Sequence, residues 1–252
     1  FNNLGIILKD FGMIEEAEAC YSKALFLKPG LYIALINRWQ LFFDKGEYEL
    51  ALKDADSCNT IDSRACGIET LYALGRIDEI YRRIKITFEI DDENIRLAAF
   101  SSFISAKEKR DTFHNFCPNP LSFLYFSNLS FHKNNYLEFI KEIIKDLSKL
   151  EIVWEPPKKT TRNGFQTPTN INLFSNSLKT ISQLKIIILT ELEKYYIKYK
   201  DQTCSYIRKW PSDKNIFGWH VILKKQGYQG AHIHTSGWLS GVIYLKVVPP
   251  LD

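Results

Sequence analysis

Three small residues recur along the N-terminal stretch at a fixed interval: Gly12, Ala17 and Ala24 are answered 34 residues later by Gly46, Ala51 and Cys58. A 34-residue period is that of a stacked helix-turn-helix unit, so this part of the chain is expected to be an all-α solenoid. The small residues suit that geometry, because glycine ends the first helix of a unit and alanine lets its two helices approach closely. Leu71 to Ile80 reads as a degraded third copy, with Gly75 arriving 29 residues after Gly46. One unit cannot cover its own apolar face, so stability calls for about three or more in a stack.

Beyond Asn94 the pattern stays helical to Leu150 without a clean period, interrupted at Cys117-Pro118-Asn119-Pro120, where proline disfavours helix. Residues 135–150 place Phe139, Ile140, Ile143, Ile144 and Leu147 at the spacing of an amphipathic helix. From Trp154 to Phe165, two prolines and an Asn-Gly step indicate a loop or hairpin. A long helix is predicted over 177–200, with an apolar stripe of Leu178, Ile181, Leu184, Ile188, Leu192 and Tyr195. β signals follow: strands over Ile216–Leu223, Ala231–His234 and Leu239–Val248, with Lys225-Gln226-Gly227 as a turn. The organisation is that of a two-domain α+β chain, with helical repeats over 1–112, a helical bridge over 113–150 and a β-bearing domain over 151–252. The chain opens on Phe1 inside a repeat and closes on Asp252 just after a strand, so both ends read as cuts in a longer protein.

Charge and cysteine usage narrow the function classes. The 33 basic and 29 acidic residues are mixed along the chain and leave a net charge of +4, without the dense basic block that tracks a phosphate backbone. No nucleic-acid partner is expected. No apolar run approaches the ~20 residues needed to cross a bilayer, and no membrane association is expected either. The five cysteines are odd in number, scattered, and never form a C-x-x-C pair, which suits free thiols in a reducing, cytoplasmic compartment.

Chemistry is concentrated near the C-terminus. His232 and His234 stand one residue apart, and on an extended strand alternate side chains share a face, so two imidazoles would come within reach of one metal ion. A pair of histidines at this spacing is common, and its plain alternative is an exposed pair that binds nothing. His220 is expected to face outward from its strand, opposite Trp219, and the large aromatics Trp219 and Trp238 are expected in the core. Ser240, Val242 and Tyr244 share one strand face.

Two resemblances gather these residues. Leu4-Gly5, Leu8, Gly12, Glu16-Ala17, Tyr21, Ala24-Leu25 and Pro29, then Lys45 to Leu52, resemble the tetratricopeptide repeat. The Trp154-to-Phe165 loop, Trp219, Gly227, His232-x-His234 and Ser240 to Leu245 together resemble the N-terminal half of a double-stranded β-helix (jelly roll) of the 2-oxoglutarate/Fe(II)-dependent dioxygenases, in a group often joined to such repeats. The resemblance implies Fe(II) as metal and 2-oxoglutarate as cosubstrate, His232 and His234 as iron ligands, and Tyr244 as a residue that binds the distal carboxylate of 2-oxoglutarate. His234 stands where most members carry a carboxylate, which removes a negative charge from the site. The distal histidine and an arginine for 2-oxoglutarate are implied to lie past Asp252, so little turnover is expected of this chain alone. The repeats imply a protein or peptide partner. The alternative is an interaction scaffold whose β-domain is catalytically inactive, and a histidine-only metal protein without 2-oxoglutarate is a third possibility, because the same architecture hosts several chemistries.

Overall fold

The computed structural model describes residues 1–157, 159–168, 170–175, 178–234 and 236–247. Among the described residues the chain has ten α-helices and one three-stranded antiparallel sheet, and no helix is long and apolar enough to cross a membrane. It divides into two compact units, Phe1–Pro120 with Cys204–Tyr206, and Leu121–Thr203 with Ile207–Asp252. Lys158, Ser177 and the final Val248 to Asp252, on which some expectations fell, lie outside the described residues.

The first unit is a run of helix pairs. Helices α1 (Asn2–Asp10) and α2 (Ile14–Leu27), α3 (Tyr32–Asp44) and α4 (Tyr48–Asp56), and α5 (Ile61–Ala73) and α6 (Ile77–Ile90) each turn through a left-handed glycine, with φ of 77° at Gly12, 77° at Gly46 and 71° at Gly75. In each turn the amide after the glycine bonds five residues back: Met13 to the Leu8 carbonyl at 2.9 Å, Glu47 to Phe42 at 2.8 Å and Arg76 to Leu71 at 2.9 Å. These are Schellman caps, which satisfy carbonyls that the helix end leaves orphaned. The sequence-degraded third copy is thus structurally equivalent to the first two.

Its short period has a simple cause: α2 is 14 residues long and α4 only 9, while the four-residue linkers 28–31 and 57–60 are the same length. A fourth unit opens with α7 (Ile95–Glu108), whose cap, Lys109, has φ 51°, and whose Arg110 amide bonds the Ser105 carbonyl at 3.2 Å. Close helix approach is visible at Gly5, where a Cβ would come within 2.6 Å of the Tyr21 ring, and at Ala17, Ala34 and Ala51, all fully buried. Buried clusters follow around Tyr21, Trp39 and Phe42, around Ala24, Leu25, Ala34 and Leu35, and around Ile68, Leu71, Ile84 and Leu97. Ion pairs rivet one helix pair to the next: Lys45 with Glu18 at 2.8 Å and Arg96 with Glu69 at 2.6 Å are each separated by 27 residues.

In the second unit α8 (Tyr136–Leu147) and α9 (Lys179–Tyr199) carry the core, with Phe139, Ile143 and Leu147 meeting Ile181, Leu184 and Ile187. The 3.6-residue period marks most of these residues in advance, although Ile187 is buried where the stripe points to Ile188, and Ile144 of the expected α8 face is exposed. The Tyr195 and Tyr199 hydroxyls donate to the Phe123 and Leu124 carbonyls at 3.1 and 2.8 Å, pinning the loop before α8. The sheet runs β1 (Val153–Trp154), β2 (Thr161–Gln166) and β3 (Val221–Gln229), so the Trp154-to-Phe165 region is a hairpin.

The later β expectations are corrected. Ile216 to His220 form no strand, and β3 runs on through the expected turn at Lys225–Gly227. Arg162 pairs with Tyr228 and Gly164 with Leu223, so four residues of β3 bulge out opposite Asn163 alone. The turn-forming residues therefore shape a bulge within one strand instead of a connection between two. Ala231–His234 and the described part of Leu239–Val248 are not strands, because a strand exists only through its ladder and these residues have none.

Candidate functional site

The site begins where β3 ends. The Gly230 amide bonds the Thr160 carbonyl at 2.9 Å, closing the pairing with the β1–β2 loop, and the chain then turns away from the sheet. The Gly230 carbonyl accepts a 2.8 Å hydrogen bond from Nδ1 of His232. A carbonyl only accepts, so Nδ1 carries the proton, and in the neutral ring the lone pair is left on Nε2. A backbone carbonyl that fixes the tautomer of a ligating imidazole in this way is a recurrent partner in metal sites.

The ring of His234 lies 4.8 Å from that of His232, centroid to centroid, at an interplanar angle of 77°, and 5.4 Å from the Trp219 ring at 42°. The two imidazoles are therefore neighbours, although the strand parity that predicted it is absent. The Gly237 amide bonds the His234 carbonyl at 3.1 Å just after the pair. Burial first, then the charges of His232 and Lys159, hold the His234 pKa below its ordinary 6.5. His234 is neutral at pH 7, the form a metal requires.

Tyr244 is not brought to the pair. It is 74% exposed, lies in no strand, and makes no hydrogen bond or ring contact among the described residues. Its neighbour Leu245 packs on the α8–α9 core. His220, expected to face outward, is turned inward: its Nδ1 and the Thr167 hydroxyl share a 2.8 Å hydrogen bond, and burial lowers its pKa. Trp219, expected in the core, is half-buried, and its ring meets that of His234 at a tilt, a contact between residues 15 apart that no local spacing announces.

Two imidazole nitrogen donors fit part of the facial triad that holds Fe(II) in a 2-oxoglutarate site. Among the described residues no group of three histidine, cysteine, aspartate or glutamate side chains is arranged to hold a metal, so the carboxylate of the usual set is missing as well as the distal histidine. Burial pushes the Cys66 and Cys117 thiols up to about 12, away from the thiolate that binds metal.

A family model described as "Putative 2OG-Fe(II) oxygenase" matches residues 218–251, a stretch that contains Trp219, both histidines and Tyr244. No curated protein matches the chain.

Proposed function

We propose that the second unit belongs to a 2-oxoglutarate- and Fe(II)-dependent oxygenase in which His232, through Nε2, and His234 donate to the iron, and that the helix pairs of the first unit are tetratricopeptide-like repeats that hold a protein or peptide partner in the cytoplasm. The observation that carries the reading is the pinned tautomer of His232 beside a neutral His234, inside the stretch that the oxygenase family model matches. Bound there, Fe(II) would let O2 act as the oxidant, one oxygen atom going to succinate as 2-oxoglutarate loses CO2 and the other to the hydroxylated product. The chain's own contribution would be to hold the two imidazole donors side by side. Tyr244 is proposed for the distal carboxylate of 2-oxoglutarate, which requires residues 239–247 to take up the strand that they lack here.

The second reading is a repeat scaffold with an inactive β-domain, and it is favoured by one specific observation, the absence of a third donor among the described residues. Measurement separates the two. Under the oxygenase reading Fe(II)-dependent conversion of 2-oxoglutarate to succinate is expected, and His232→Ala should abolish it. The histidine pair should also bind Ni(II) or Co(II). Succinate formation that survives His232→Ala would remove the ligand assignment, and no turnover in wild type would leave the scaffold.

A further inference from the structure

His234 is the less restrained of the two imidazoles. His232 is tied to Gly230, whereas the His234 ring makes no hydrogen bond among the described residues and its segment joins no ladder. Among the described residues its ring contacts are with His232 and the Trp219 indole.

That indole sits on backbone clamped from both sides. Upstream, the Gly218 amide donates to Oδ1 of Asn172 at 3.0 Å and its carbonyl accepts from the Leu173 amide at 2.7 Å. A Cβ on Gly218 would come within 2.3 Å of the Phe174 ring, so the two segments are in close contact. Downstream, the His220 amide donates to Oγ1 of Thr167 at 3.1 Å, and the His220 carbonyl accepts from the Thr167 amide at 3.1 Å. The residue between the two clamps is the one whose side chain meets His234.

We propose that Trp219 is a positioning residue for His234, presenting a fixed aromatic face that sets the orientation in which His234 donates together with His232; this rests on the metal reading above. A ligating imidazole is usually steered by a hydrogen bond to its second nitrogen. His232 has such a bond, and for His234 the indole packed at a tilt against it takes its place. Thr167 and Asn172 then act one step further out, by seating the indole.

The test uses the whole 252-residue chain with Ni(II) as the probe. Trp219→Ala should weaken Ni(II) binding, read by calorimetry, by about 10-fold or more, in the range that lost outer partners of metal ligands produce. Trp219→Phe, which keeps a ring, should recover most of it, with helical circular dichroism unchanged in both. Should the alanine variant fold poorly, Trp219→Leu fills the volume without a ring and is read in its place. Without metal, the His234 ring protons should carry an indole ring-current shift in their NMR resonances that the ring-free variants lose. Undiminished Ni(II) affinity in the ring-free variants, or His234 resonances that do not move, overturns the proposal. Failure of the underlying reading looks different. A wild-type chain that ignores Ni(II), or a His232→Ala variant that binds as well as wild type, sinks the metal assignment and leaves the metal-free ring shift to decide whether Trp219 holds His234.

Discussion

Lys109 occupies left-handed backbone, φ 51°, at the turn where its three equivalents are glycines. An L-residue with a Cβ pays about 1–2 kcal/mol there relative to glycine's freedom. Lys109→Gly is therefore expected to raise the unfolding free energy of the first unit by about 1 kcal/mol, and Gly75→Ala to lower it by a similar amount, both read by urea denaturation. Equal midpoints for Lys109→Gly and wild type would show that the fourth turn is not strained. The same residues explain what the sequence could reveal. Gly12, Gly46 and Gly75 announce their turns because only glycine is at ease there, and the fourth turn is hidden because lysine tolerates the same backbone at a cost. At the site, the spacing of His232 and His234 is legible, but the contact of His234 with Trp219 depends on how two segments are folded together and leaves no periodic trace.

Among the elements, β3 departs furthest from expectation. Lys225-Gln226-Gly227 carries turn chemistry, with Gln226 at φ 61°, but the strand resumes on the same partner and the turn becomes a bulge. Gly227 is obligatory in it: a Cβ would lie 2.4 Å from the Asn163 carbonyl oxygen and 3.0 Å from that of Lys224, backbone atoms that cannot simply swing away. Gly227→Ala should thus destabilise the second unit by about 1–3 kcal/mol through strain at a close backbone approach. It should also speed amide hydrogen exchange over β2 and β3 while leaving α1 to α6 unchanged; unaltered exchange in β2 and β3 would mean that the bulge relaxes freely. Helices fared better than strands because a helix is written in its own period, as in the stripes of α8 and α9, whereas a strand needs a neighbour that local sequence does not name. The shortened α4 likewise broke the 34-residue period without breaking the fold.

For the molecule as a whole, acid should act on the two units through different groups. In the first unit His114 is buried, and desolvation lowers its pKa to about 4 against the pull of Asp92 and Asp91. Unfolded, it titrates near 6.5, so between these values the unfolded chain binds a proton that the folded chain refuses. Stability is lost as pH falls from about 6.5 through 4, by on the order of 2–3 kcal/mol at 1.36 kcal/mol per pKa unit. In the second unit burial works against the Glu191 carboxylate, but hydrogen bonds from Lys194, Ser127, Tyr125 and His132 overcome it and hold the pKa down at about 2. Its contribution is complete above the ordinary value of 4.5 and lost as pH falls from there through about 2. Urea denaturation between pH 7 and 2, followed unit by unit through hydrogen exchange, should show His114→Gln flattening the pH dependence of the first unit between 6.5 and 4. Glu191→Gln should flatten that of the second below 4.5. His220 and His234, whose pKa values burial also lowers, add to the second unit a loss that begins near 6.5, and Glu191→Gln should leave that part in place. A first unit whose stability is flat from pH 6.5 to 4 would mean that His114 is hydrated in solution, and its buried Nε2, unpartnered among the described residues, would then have found water.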